Sequence, residues 1–538
     1  MTTEFLKKIN HAIASKIGWL KLFKIIIGAA VFLSFFYVSL KEIDPDLGWH
    51  LKVGQWIYAH KQIPHFDEFT FTMPGHRWVA HEWFMEAIFW LAMTHDLWWI
   101  VCLFFALAAF LPFFFWLRRA KSLWAILYVL LAVTVFLGMM GVRPQILSFS
   151  FFFLSFEILY WRFWGDGQEK RKKLFYIGLP LLFFIWANLH AGFIAGLTLF
   201  MILFFVDLVW PKKAGGRINK ERISNLAVLL ISVTVTFINP YGLELYQEIF
   251  RTVFSSNIAK YIVECLPFFY FNSISFSVLI GVAIFFILKE IKRYQLNFLA
   301  VAIFFTASFL KSFRMITMFF VATIPLVFSG IERAQEQILQ VRRVYPFGPI
   351  TRHILEIIGA MIFLSVLILF GYGIINFQPF KYPDQAIVYL KKYNQENEVN
   401  HIFNDFGWGG YLIWKAPEIK IFIDGRMPAW RANIGQSAMD DYVKVSYAQN
   451  QEDWQTVFAR RQIDLVFLRN ELVLPEEDGW LKKYLPEEIK QYISEKKYDK
   501  FLVNFFGIKK LISLKKSLMQ NGWQVIYEDN IAVILKKP

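Results

Sequence analysis

The strongest constraint on the fold is a run pattern. Between residues 22 and 375 the chain repeats apolar stretches of roughly the 17–25 residues that a membrane-crossing helix needs. The stretches fall at about 22–40, 97–117, 122–141, 145–161, 174–189, 193–210, 223–239, 274–289, 296–311, 315–331 and 353–375, roughly eleven spans. A shorter amphipathic helix at about 82–94 is expected at the interface. Of 538 residues, 57% are hydrophobic and only 18% charged, more apolar surface than a soluble globule of this size needs. The expected fold class is a polytopic α-helical membrane protein with a smaller C-terminal domain.

Charge placement gives orientation. Lys7, Lys8, Lys16, Lys21 and Lys24 precede the first apolar run, which is long for a signal sequence and lacks a small-x-small cleavage site, so it reads as an uncleaved span. The loops with Arg118, Arg119 and Lys121, with Arg162, Lys170, Lys172 and Lys173, and with Lys212, Lys213, Arg217, Lys220 and Arg222 lie on the same side. So do those with Lys289, Lys292 and Arg293, and with Arg333, Arg342, Arg343 and Arg352. That side is expected in the cytoplasm of a cell (inner or plasma) membrane, with an extracytoplasmic tail. The net charge of +15 is thus a topology signal, and no recognition motif accompanies it to support a nucleic-acid partner. Cys102 and Cys265, both in or beside apolar segments, indicate neither a disulfide framework nor a metal site.

Residues 1–375 are expected to form the transmembrane domain, with a first outer loop at 41–83, and residues 376–538 an extracytoplasmic α/β domain. In the tail, β-like runs occur at His401-Ile402-Phe403, Lys420-Ile421-Phe422-Ile423 and 463–468, and Glu528-Asp529-Asn530 separates 523–527 from 531–535 as a hairpin.

The first outer loop concentrates titratable groups. Five of the ten histidines (His50, His60, His65, His76, His81) and the carboxylates Asp44, Asp46, Asp67, Glu68 and Glu82 lie between residues 44 and 83. A carboxylate at the end of the first span, Asp44 or Asp46, could accept a proton from an acceptor hydroxyl as a lipid phosphate departs; the bland alternative is a solvated turn at Pro45. His50, His81 and Glu82 complete the cluster and could supply metal ligands. No H-E-x-x-H spacing supports this, so no cofactor is assigned, while a divalent metal stays open. Arg143, Arg314 and Lys311 at outer helix ends could hold a phosphate, or else snorkel to the interface. Asn188 and His190 sit at a tight helical hairpin, as a cap or lining a cavity. Asn404 to Tyr411 reads as a fold-determining Gly-rich turn, and Asp424 and Arg426 either pair or face the site.

The strings D-x-D-x-x-W-H (44–50), H-E-W (81–83), R-P-Q (143–145), N-x-H (188–190), N-P-Y-G (239–242) and D-G-R (424–426) resemble bacterial glycosyltransferase-like membrane proteins. The architecture of 1–375 resembles the GT-C superfamily, which includes protein O-mannosyltransferases and aminoarabinose transferases. The α/β tail departs from the O-mannosyltransferases, and the oligosaccharyltransferase W-W-D motif is missing. The resemblance implies an inverting transfer of a sugar from a polyprenyl-phosphate donor to an outer acceptor, be it glycan, lipid or protein. The base role falls on Asp44 or Asp46, with Asp46 preferred because it leads into Trp49 and His50. The donor phosphate falls to Arg143, Arg314, Lys311 and His190, and acceptor or tail contacts to Tyr241, Asp424 and Arg426. The competing readings are a transporter or flippase of a lipid-linked glycan, and a non-catalytic envelope scaffold.

Overall fold

A computed structural model describes residues 16–164, 171–210, 220–268, 274–290, 296–344, 349–431, 436–446, 448, 451–470 and 513–538. Lys7, Lys8, Lys170, Lys212, Lys213, Arg217, Lys292 and Arg293 lie outside the described residues, as do the side chains of Lys16, Arg342, Arg343 and Arg352. The chain divides into two compact units.

The first unit comprises Met1–Asp44, His81–Phe250 and Ala259–Pro379 and is helical. Among the described residues, four helices are long and apolar enough to cross a membrane: Leu20–Lys41, Trp98–Arg119, Pro144–Trp164 and Phe313–Ile338. Shorter apolar helices occupy most of the other expected spans, including Leu123–Met139, Leu174–Leu189, Phe193–Val209 and Leu296–Lys311. Local chemistry sets their ends. Ser122 accepts from the Ala125 N–H at 3.3 Å and starts Leu123–Phe136. Pro144 opens its helix, where a missing N–H costs nothing. Arg118 and Arg119 close Trp98–Arg119, where positive charge offsets the helix dipole. Rings of Phe113, Phe136, Phe149 and Phe320 interlock at centroid distances of 5.3–6.0 Å in the buried centre.

The acids near basic helix ends are paired. Arg119 grips Glu157 with both guanidinium ends (2.6 and 2.5 Å), Lys121 meets Glu332 at 2.9 Å, and Arg222 meets Asp207 at 3.2 Å. Glu157 and Asp207 are therefore structural clasps between helices.

The second unit comprises Pro45–Ala80, Arg251–Ile258 and Phe380–Pro538. Its four-stranded sheet has the order β1-β2-β4-β3: β1 Ile402–Asn404, β2 Leu465–Arg469, β3 Gln524–Glu528 and β4 Ala532–Lys536. β1 and β2 run parallel, and the other two pairings are antiparallel. The hairpin stands where the sequence placed it. Asp529 Oδ1 accepts the Ile531 and Ala532 N–H groups, both at 2.7 Å, an Asx-type turn.

The run 420–423 is not a strand. Ile421 forms only isolated bridges, to Thr70 and Ile402. The Asn404 side chain takes the neighbouring backbone instead, accepting from the Phe422 and Ile423 N–H groups (2.8 and 3.3 Å) and donating to the Ile423 carbonyl at 2.9 Å.

Residues 45–80, grouped by sequence with the transmembrane region, pack with the tail. Ile421 N–H donates to the Phe69 carbonyl and Phe71 N–H to the Ile421 carbonyl, each at 3.2 Å, and Thr72 Oγ1 donates to the Phe422 carbonyl at 2.6 Å. Helix Leu47–His60 meets helix Gly409–Lys415 so closely that a methyl at Gly48 would overlap the Gly410 carbonyl. Gly48→Ala is expected to destabilise this unit by about 1–3 kcal/mol through overpacking. Thermal unfolding of the purified protein reads the loss, and an unchanged midpoint would mean that the two backbones part at no cost.

Candidate active site

In the helical unit, a cluster of charged and imidazole side chains is built from six chain segments. Asp44 and Glu42 follow the first helix, and Arg143 precedes Pro144. Arg143 Nε lies 2.6 Å from Asp44, Nη1 3.4 Å from Glu264 and Nη2 3.9 Å from Glu42. The expected phosphate ligand thus already carries three carboxylates. Of the three, Glu264 is the most exposed, at 44%, and the others are far more enclosed.

The Phe313 N–H donates to the Leu266 carbonyl at 2.9 Å and pins the Val263–Cys265 turn beside Arg314. Arg314 is half-buried, within electrostatic reach of Glu264, Cys265 and Glu82. Glu82, buried at the start of helix Trp83–Thr94, receives His190 Nε2 at 3.4 Å and His81 Nε2 at 3.6 Å on one oxygen. Glu86, one turn on, is fully buried, with a carboxylate oxygen within 4.8 Å of one from Glu82. These oxygens are hard donors of the kind a divalent cation takes.

Behind His190 lies a polar chain. Trp186 Nε1–H donates to Ser148 Oγ at 2.7 Å, and Ser148 Oγ stands 2.6 Å from His190 Nδ1. The Gly192 N–H also donates to Nδ1, at 3.0 Å. Asn188 is a tie between segments: its amide donates to the Phe184 and Ile238 carbonyls and accepts from Trp83 Nε1.

In the second unit, Asp46 is half-buried and its Oδ1 accepts from Trp49 Nε1 at 3.0 Å. Gly425 packs directly on the Asp46 carboxylate, leaving no room for a side chain there. His50 is buried in the same helix, its ring 3.6 Å from that of Trp49. Asp424 and Arg426 do pair: Nε and Nη2 donate to Asp424 at 2.8 and 2.7 Å, and Nη2 also meets Asp67 at 2.9 Å. The rings of Trp49, Phe69, Trp78 and Trp430 surround the guanidinium at 4.7–5.9 Å. Burial alone would ease proton loss from Arg426, but Asp424 and Asp67 outweigh it and raise its pKa. His76 stacks on Trp430, and burial lowers its pKa; Arg251 and Arg426 add to that, and Asp67 opposes.

The structure therefore gathers Asp44, His81, Glu82, Arg143, His190 and Arg314 in one unit and places Asp46, His50, Asp424 and Arg426 in the other. Lys311 is exposed at a helix end. Tyr241 is buried in the Asn-Pro-Tyr-Gly turn, its N–H donating to Asn239 Oδ1 at 2.9 Å. Sequence reasoning passed over Glu42, Glu264, Ser148 and Trp186, and counted Asp67 in the loop cluster without a partner. The visible signal for Ser148 was a hydroxyl one turn past R-P-Q in an otherwise apolar run.

The fold has known counterparts. An Archaeoglobus fulgidus oligosaccharyltransferase tethered with an acceptor peptide superposes with a TM-score of 0.54 at 13% identity, covering 85% of this chain and 69% of that one. The A. fulgidus oligosaccharyltransferase AglB in complex with an inhibitory peptide and a dolichol-phosphate gives 0.52 at 12% identity, covering 85% and 70%. No protein family and no curated protein matches the sequence itself. The structural neighbours are GT-C lipid-phosphate glycosyltransferases, and this chain has their fold. With its apolar helices, it is a multi-pass membrane protein.

Proposed function

We propose that the chain is an inverting glycosyltransferase that moves a sugar from a polyprenyl-phosphate donor to an acceptor hydroxyl on the extracytoplasmic face. The observation that carries this reading is the fold shared with a transferase that holds dolichol-phosphate, together with arginines and acids gathered at one cluster. The acceptor oxygen bonds to the anomeric carbon as the carbon–phosphate oxygen bond breaks. The leaving group is polyprenyl phosphate, and the acceptor proton goes to a carboxylate.

Arg143 and Arg314 bind the phosphate, with Lys311 as an outer cation and His190 as a hydrogen-bond donor. Asp46 is the preferred base, because protonating Asp44 would dissolve its ion pair with Arg143. His50 and Glu82, with His81 beside it, orient the sugar. Tyr241 serves the acceptor side from the helical unit, and Asp424 and Arg426 through the architecture of the tail. The basic loops set the orientation, with the N-terminus cytoplasmic and the tail outside.

Protein purified in nanodiscs and given a labelled polyprenyl-phosphate sugar with candidate acceptors is expected to release polyprenyl phosphate and a labelled product. Movement of intact donor across proteoliposomes, with no covalent product, would replace this reading with transport. The clasped state of Glu157 and Asp207 speaks against a polar path through the helices.

A further inference from the structure

We infer that Ser148 and Trp186 are positioning residues that hold His190 in the tautomer with its proton on Nε2 and Nδ1 as an acceptor. His190 is then a hydrogen-bond donor and never the base of the transfer. This deepens, and rests on, the transferase reading above.

The direction of each bond follows from the donors. The Gly192 amide can only donate, and it points at His190 Nδ1 from 3.0 Å. The Trp186 indole can only donate, and it occupies Ser148 Oγ from 2.7 Å. The Ser148 hydroxyl proton is then free for Nδ1, at 2.6 Å. Both groups that face Nδ1 make it the acceptor, so the ring proton belongs on Nε2.

Burial makes the lock firm. Trp186 is fully enclosed, Ser148 is 2% exposed, and a side chain at Gly192 would overlap the Ser148 hydroxyl. A second proton on Nδ1 would set N–H against the Gly192 N–H, an unfavourable arrangement at this depth.

Nε2–H faces Glu82 Oε1 at 3.4 Å, and His81 Nε2 approaches the same oxygen at 3.6 Å. With one nitrogen protonated and the other occupied, His190 has no lone pair for an acceptor hydroxyl. The base is then a group other than His190, and His190 supplies hydrogen bonding to Glu82 or to an anionic oxygen of the substrate.

The test is nitrogen NMR on full-length protein labelled with 15N-histidine in nanodiscs, with the His190 signals assigned by their loss in His190→Asn. The wild type is expected to show a bare Nδ1 and a protonated Nε2. Ser148→Ala should shift the signals toward mixed tautomers and lower kcat about 10-fold with little change in KM. Trp186→Phe should give a smaller shift in the same direction. A protonated Nδ1 in the wild type would overturn the inference, as would Ser148→Ala with tautomer and rate unchanged. If no acceptor is ever glycosylated, the transferase reading fails, yet the NMR result still decides the tautomer.

Discussion

Arg426→Leu is expected to destabilise the second unit by about 3–5 kcal/mol, the cost of breaking a buried ion cluster from one side. The Arg426 side chain is 1% exposed, and Asp67 and Asp424 are at 0%. Removing the guanidinium leaves two carboxylates without their shared cation, far from water. Asp67 retains the Thr70 N–H at 3.1 Å and hydroxyl at 2.5 Å, which eases but does not remove the penalty. Four aromatic rings also lose the cation they enclose. Because Asp67 belongs to the loop and Asp424 to the tail, the damage should appear as loosening between them. Limited proteolysis of the intact protein should cut within 61–63, and the unfolding midpoint should fall by several degrees. Adding Asp424→Asn to Arg426→Leu should recover part of the loss, since one unpaired charge disappears. A single variant as stable as the wild type would remove Arg426 from the centre of this unit.

Much of the fold was legible because its signals are local. An apolar run reports a membrane helix without reference to its neighbours. The β3–β4 hairpin was readable because Glu528-Asp529-Asn530 supplies its own turn chemistry. Contacts made at long range were not readable. Arg143 and Asp44 are far apart in sequence, and neither carries a mark of the other; Arg143 looked free for phosphate and is already bound by acids. The packing of loop on tail rests on glycines, Gly48 against Gly410 and Gly425 against Asp46, and a missing side chain has no periodicity. The run 420–423 had strand composition, but the Asn404 side chain takes its backbone N–H groups in place of a neighbouring strand. His190 was read as a cap, a cavity residue or a phosphate ligand, with no sign of its tautomer, because Ser148 beside it was hidden inside a span.

Asp46→Asn is expected to lower kcat for transfer by at least about 100-fold, the lower end of what a general base contributes. Asparagine is the informative replacement, because it keeps the shape of aspartate. Its amide oxygen can still accept the Trp49 indole proton, now held at 3.0 Å, so the turn before helix Leu47–His60 should survive. Gly425 packs against the carboxylate, so Asp46→Glu should also fail, for want of space and not of charge. Asp44→Asn separates the two candidates. It weakens the ion pair with Arg143 and should act mainly on donor binding, raising KM more than it lowers kcat. The discriminating measurement is turnover of a labelled polyprenyl-phosphate sugar by folded, monodisperse variants at saturating donor. Undiminished kcat in Asp46→Asn, with collapse in Asp44→Asn, would transfer the base role to Asp44. The Arg143 contact would then have to break during each cycle to free that carboxylate for the proton.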